Sequence, residues 1–157
     1  AYVRICTWGR FMDKESHKRF WFFTLHTDHK GEQSQIESCR LVLDRIKKMC
    51  HGERAVLTGD FNVGETSTCH SIICESGILS DAYDSSPIRL TTTGTENWFD
   101  PDIKTFRRID HIFITPGFTP LRYGILTDTY RVPTDVPGKY RAHTPSDHFP
   151  VVVELVY

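Results

Sequence analysis

The sequence predicts an α/β fold built on mixed β-sheets in layers, and three observations lead there. An aromatic strand, a helix with one apolar face and a second apolar strand follow one another between residues 19 and 58. Beyond residue 76, short β-like runs alternate with Gly, Pro, Thr and Asp turns. No internal repeat and no low-complexity tract interrupts this order.

The elements can be justified in turn. Residues 19–25 (RFWFFTL) are aromatic-rich and free of glycine and proline, the composition of a strand. Residues 32–50 place Ile36, Cys39, Leu43, Ile46 and Cys50 at spacings of three and four, one face of a helix. Lys47 and Lys48 fall in its last turn, and Gly52 supplies a stop. A short apolar strand at 55–58 completes a βαβ unit, which calls for a parallel strand pair. Residues 109–115, 121–127 and 149–156 read as further strands, and 133–145 as a polar loop punctuated by proline.

Bulk properties narrow the function classes. The 157 residues are 39% hydrophobic and 25% charged, an ordinary globular composition. One domain of that length buries roughly 70% of its unfolded surface. The net charge of -1 argues against non-specific binding to long nucleic acid, which needs a strongly basic surface. Five cysteines form no CxxC and no zinc-finger spacing, so they fit reduced thiols in a reducing, cytoplasm-like compartment better than a disulfide framework. No signal peptide and no membrane span is visible.

Four short stretches put acid, amide and imidazole groups at strand ends. Thr24-Leu25-His26-Thr27-Asp28-His29 follows the aromatic strand, and Thr58-Gly59-Asp60-Phe61-Asn62 follows the next one. Arg108-Ile109-Asp110-His111 and Ser146-Asp147-His148 each lead into a strand. If the later strands run antiparallel to the earlier ones, all four stretches meet on one edge of the sheets. Each has a plain alternative. Asp-Phe-Asn also suits an Asx turn, His148 a simple turn, and His26 a satisfied core histidine. Asp110, set among Ile and Phe, needs an imidazole or arginine partner, because an ionised carboxylate in a β-core is costly alone.

TGDFN, RIDHIF and SDHFPV, in this order, resemble the C-terminal signature set of the endonuclease/exonuclease/phosphatase superfamily, the deoxyribonuclease-I-like fold. The resemblance runs from Arg4-Ile5-Cys6-Thr7-Trp8 to the last strand, and the stretch at 94–100 (GTENWFD) is similar to a bacterial-type branch. It implies a two-layer α/β sandwich with mixed, mainly antiparallel sheets, of which residues 1–157 form the C-terminal part as a single domain. It implies a metal-dependent hydrolase of phosphoester bonds (phosphodiesterase, nuclease or phosphatase) working by in-line attack of water. His148 would be the catalytic base and Asp110 its orienting partner. Asp60 would position the water, and Asn62 would hydrogen-bond a phosphate oxygen. His26 would contact the phosphate or help the leaving oxygen depart. Mg²⁺, with Mn²⁺ as the alternative, would be held by Asp147 and Asp60, a sparse oxygen shell typical of a hard cation.

Two departures accompany the resemblance. Thr27 stands where the family carries leucine. An early asparagine and a metal-binding glutamate of the family have no counterpart, since sandwiches of this kind run to roughly 200–250 residues. The expectation is therefore that the N-terminal half of the family fold is absent, that a complementary N-terminal chain is a candidate partner, and that the isolated chain is weak or inactive. The rival reading is a catalytically incomplete fragment serving as a binding or structural module. His26-x-Asp28-His29 also matches part of a zinc-hydrolase HxHxDH pattern, with Thr24 in place of the first ligand.

For substrate, Trp98 and Phe99 either wall a pocket and stack on a sugar or base, or anchor their loop. Arg108, with Lys104 and Arg107, is a candidate for steering phosphate, or else part of a solvated basic stretch. The balance favours a phosphorylated small molecule or nucleotide, with nucleic acid as the other option.

Overall fold

A computed structural model describes residues 2–90 and 93–157. In chain order the elements are β1 (Cys6–Met12), β2 (Arg19–His26), α1 (Glu32–Cys50), β3 (Arg54–Asp60), α2 (Thr68–Cys74), β4 (Ser80–Asp81) and α3 (Ala82–Ser85). They continue with β5 (Ile88–Arg89), β6 (Asp110–Ile114), β7 (Thr119–Ile125), β8 (Tyr130–Pro133), β9 (Tyr140–His143) and β10 (Val151–Val156). A five-stranded sheet has the order β1-β2-β3-β6-β4, and a three-stranded sheet the order β10-β7-β5. β2 runs parallel to β3 and β5 to β7, while the remaining pairs are antiparallel. This is the mixed, mainly antiparallel α/β architecture the sequence predicts. No helix among the described residues is long and apolar enough to cross a membrane.

The centre of the larger sheet is covered on both faces, which explains its unbroken apolar runs. Ala55 and Leu57 of β3 join Phe23 and Leu25 of β2 against Cys39, Val42, Leu43 and Ile46 of α1. Val56 points the other way and packs with Ile112 and Ile114 of β6 against Val151, Val153 and Leu155 of β10. Burying a side chain such as Phe23 or Ile46, each 1% exposed, contributes roughly 2 kcal/mol.

α1 occupies the span its periodicity predicts. It carries Glu32 in the first turn and Lys47 and Lys48 in the last, complementing the helix dipole. It ends on His51 in a left-handed conformation, followed by Gly52 at φ 84. Besides the short β4, α3 and β5, which the sequence does not announce, two features depart from expectation. The expected loop at 133–145 instead contributes β9, which pairs with β8 in an antiparallel hairpin whose residues are mostly exposed. Without a buried face its sequence shows no apolar alternation, so pattern alone cannot reveal it. α2, capped by the Ser67 hydroxyl accepting from the His70 amide at 3.2 Å, is too short to show a period.

Candidate active site

Strand polarity assembles the site. β2 and β3 run parallel, so their C-terminal residues His26 and Asp60 are register partners. β6 runs antiparallel to β3 and begins at Asp110, the partner of Asp60. Three adjacent strands therefore set His26, Asp60 and Asp110 in a row along one sheet edge, where paired side chains share a face. His148, just before β10, reaches across from the second sheet.

The distances tie the four together. His148 Nδ1 lies 2.7 Å from Asp110 Oδ2, with the side chains 27% and 23% exposed. An ionised carboxylate only accepts, so Nδ1 carries the hydrogen, and the neutral ring keeps its lone pair on Nε2. His26 Nε2 lies 3.3 Å from Asp60 Oδ2. Asp60 Oδ1 accepts the Asn62 amide N–H at 2.8 Å. The Asp60–Asn62 segment is thus an Asx turn that also holds Asp60 in the group. Asn62 adopts φ 53 there, and its Nδ2 donates to the Thr27 carbonyl at 3.1 Å.

Two residues outside the chemical group hold it in shape. Gly59, at φ 151, passes so close to β2 that a Cβ would stand 1.9 Å from the Leu25 carbonyl oxygen. Any other residue would force β2 and β3 apart. Thr27, fully buried, donates from its hydroxyl to the Phe61 carbonyl while its own carbonyl accepts from Asn62. The sequence marks Thr27 only as a departure from the family's leucine; its hydroxyl is a tie to the GDFN turn, and a polar residue beside an aromatic strand is the available signal.

Electrostatics follow from crowding. Burial pushes the Asp60 carboxyl above its ordinary value; the Asn62 amide opposes this and the Asp110 charge adds to it. Burial works against a charged His148. The hydrogen bond and charge of Asp110, with Asp60 and Asp147 behind it, outweigh burial and lift the imidazole above its ordinary value. Donor atoms of Asp60, Asp110 and His148 all lie within 4.8 Å of one another. Two carboxylates sharing one imidazole leave room for positive charge, and their oxygens suit a hard divalent cation. The group lines one end of a groove of about 720 Å³ between the two sheets, which continues past Phe22 and Val151 to Tyr157.

The other candidates fall elsewhere. Asp147 is exposed; its Oδ1 accepts from the Ser146 hydroxyl at 3.2 Å, and its carboxylate is not among the three clustered groups. Trp98 and Phe99 are 68% and 60% exposed, with positive φ of 55° and 62°. Their loop is pinned beside His148: the Asn97 and Trp98 amides both donate to the Asp147 carbonyl, at 2.7 and 3.0 Å. Buried Asn97 accepts the Phe99 amide at 2.8 Å. Arg108 is a correction. It is buried, its Nη1 lies 3.1 Å from Asp81, and it stacks over Tyr83 at 3.7 Å, so it does not face the Asp110–His148 pair. The HxDH pattern also dissolves. Asp28 is fully buried and accepts the Gly31 amide before α1, while His29 stacks on Tyr2.

Comparison with known proteins bears on the family and the fold. A family model described as Endonuclease/Exonuclease/phosphatase family matches residues 8–148. No curated protein sequence matches significantly. Among solved structures, a mannosyl-6-phosphatase of Bacteroides thetaiotaomicron is 47% identical with a TM-score of 0.92, over 98% of this chain and 57% of that one. An endonuclease/exonuclease/phosphatase protein of Bacteroides vulgatus is 32% identical with a TM-score of 0.76, over 98% and 56%. The beta toxin of Staphylococcus aureus, solved with bound magnesium ions, is 15% identical with a TM-score of 0.63, over 94% and 56%, and shares the fold. The chain thus spans about half the length of these solved relatives.

Proposed function

Because the chain belongs to the endonuclease/exonuclease/phosphatase family, we propose that it carries the catalytic edge of a divalent-metal-dependent phosphoester hydrolase. The observation that carries this reading is the 2.7 Å contact between His148 and Asp110, set beside Asp60 on the adjoining strand. Phosphoryl transfer asks for positioning and charge neutralisation more than for covalent chemistry. Neutral His148 takes the proton of the attacking water on Nε2. Asp110 holds the ring in that tautomer and stabilises the imidazolium that results. Asp60 orients the water, Asn62 faces a phosphate oxygen, and His26 stands where the departing oxygen leaves.

Asp60 is the carboxylate we assign first to the cation, and Mg²⁺ is the ion we assign, with Mn²⁺ able to substitute. Asp147 adds negative charge beside His148 from the rim. When bound, the cation neutralises charge on the phosphoryl oxygens.

For substrate, we infer a sugar phosphomonoester. The mannosyl-6-phosphatase at 47% identity supports this class, and the net charge of -1 disfavours a polyanionic strand. Trp98 and Phe99 would border the sugar. The test is release of inorganic phosphate from hexose 6-phosphates, with bis-p-nitrophenyl phosphate as the diester control. Phosphate release that chelation stops and Mg²⁺ restores is expected; hydrolysis indifferent to chelation would overturn the reading.

One observation favours a second reading of the same site. Trp8, Phe11 and Met12 of β1, an edge strand of the large sheet, are more than half exposed, as is Ile5 just before it. Val152 and Val156 are exposed on β10, the free edge of the small one. Under this reading further polypeptide, such as a complementary N-terminal chain, packs on these edges and supplies groups the reaction needs, and the chain alone is a structural module. Full turnover by the monomeric chain would set it aside.

A further inference from the structure

A second set of titratable groups gathers around His111, on the face of β6 opposite Asp110. Asp81, fully buried at the end of β4, presents Oδ2 to His70 Nε2 at 3.0 Å, Arg108 Nη1 at 3.1 Å and His111 Nδ1 at 3.5 Å. Its other oxygen accepts the Tyr83 amide at 2.8 Å. His111 Nε2 lies 3.0 Å from the Val63 carbonyl oxygen. A carbonyl only accepts, so Nε2 carries the hydrogen and Nδ1 is the atom turned to Asp81.

This places one imidazole between two parts of the candidate active site. His111 follows Asp110 in the strand, and consecutive strand residues point to opposite faces. Val63 follows Asn62, where the backbone has left the ladder through a positive φ. Past the Phe61 amide, which donates to Ile109 O at 2.8 Å, β6 reaches the outgoing turn through the His111 ring. The ring has little freedom to swing: it is 1% exposed and packs against Phe61, His70 and Phe113 at centroid distances of 5.7, 5.2 and 5.4 Å.

We propose that His111 is a positioning residue whose bond to the Val63 carbonyl fixes Asp110 against the Asp60–Asn62 turn. Reacting groups tolerate little displacement, since a misplacement of about 1 Å can cost on the order of 10²-fold in rate. The inference rests on the proposed hydrolase reading and adds to it a residue that touches neither water nor phosphate.

The test compares His111→Phe, which keeps an aromatic ring but loses the donor, with His111→Gln, whose amide can reach the same carbonyl. On the protein as its gene encodes it, hexose 6-phosphate hydrolysis by His111→Phe should lose about 10- to 100-fold in kcat. KM should stay within about twofold, since the substrate contacts are untouched. His111→Gln should recover most of the loss. Independently of turnover, the amide resonances of Asn62 and Val63 should move in His111→Phe and return in His111→Gln. A purely structural role predicts instead that activity follows the folded fraction, equally in both variants. Folded His111→Phe with wild-type kcat and unmoved Asn62 and Val63 resonances would overturn the inference, as would a Gln variant no better than Phe. If His111→Phe does not fold, His111→Asn, whose amide is too short for Val63, takes its place. A wild type that releases no phosphate defeats the hydrolase reading; the resonance shifts then decide the inference by themselves.

Discussion

Two carboxylate–imidazole groups lie on opposite faces of β6, built from the same residue types with different consequences. The open group, Asp60, Asp110 and His148, is about a quarter exposed at its His–Asp pair and has two carboxylates for one clustered imidazole. The sealed group sets Asp81 against His70, His111 and Arg108, with side chains no more than 9% exposed. In the sealed group the charge is answered internally. Burial opposes the Asp81 charge, but the adjacent His111 ring, the hydrogen bond from His70 and the Arg108 guanidinium hold it well below the carboxylate range. His70, bonded to Asp81 and near Cys74, is raised to about 10. The open group has surplus negative charge, a groove beside it and an imidazole lifted by its neighbour. Exposure and charge balance, more than residue type, separate a site that can act from one that holds shape.

That contrast can be broken at several points. Asp110→Asn should lower kcat by about 10²–10⁴-fold with little change in melting temperature. It should also move the acidic limb of the pH–rate profile to lower pH, since His148 loses the bond that lifts it. An unmoved profile would separate Asp110 from the imidazole. Asp81→Asn should do the reverse, costing about 3–5 kcal/mol of stability because Arg108 and His70 lose their buried counter-charge. Urea unfolding would measure this, and a mild loss would mean the sealed group is wetter than it looks.

A smaller effect concerns pH. A histidine raised in the fold from an ordinary value near 6.5 to about 10 contributes stability that is complete below the unfolded pKa. That contribution is lost as pH rises through the folded one. Stability should therefore fall between about pH 7 and pH 10, and His70→Gln should flatten the fall in denaturation midpoints. Smallest of all, Trp98→Gly should relieve a positive φ and change stability by about 1 kcal/mol or less in the favourable direction. The same change should raise KM for a sugar phosphate relative to bis-p-nitrophenyl phosphate. Equal KM changes on both would leave Trp98 as a loop anchor.

Legibility in the sequence followed the range of the forces involved. α1 could be read to its termini because spacing and charge lie within its own residues and the stop signal, Gly52, just past them. The row of His26, Asp60 and Asp110 was legible because strand polarity alone brings strand ends together. Arg108 was not: its partner Asp81 lies 27 positions away, and nothing local distinguishes a buried guanidinium from a solvated one. The β8–β9 hairpin escaped because it buries no face. Thr27 escaped because its significance is the Phe61 carbonyl it meets, which only the folded turn supplies.

The most direct measurement is phosphate release from a hexose 6-phosphate with Mg²⁺ present, comparing the wild type with His148→Ala at matched folded fraction. The open-group account predicts metal-dependent release by the wild type and a loss of at least about 10²-fold in the variant, with cooperative unfolding retained. Release by His148→Ala at the wild-type rate would contradict it.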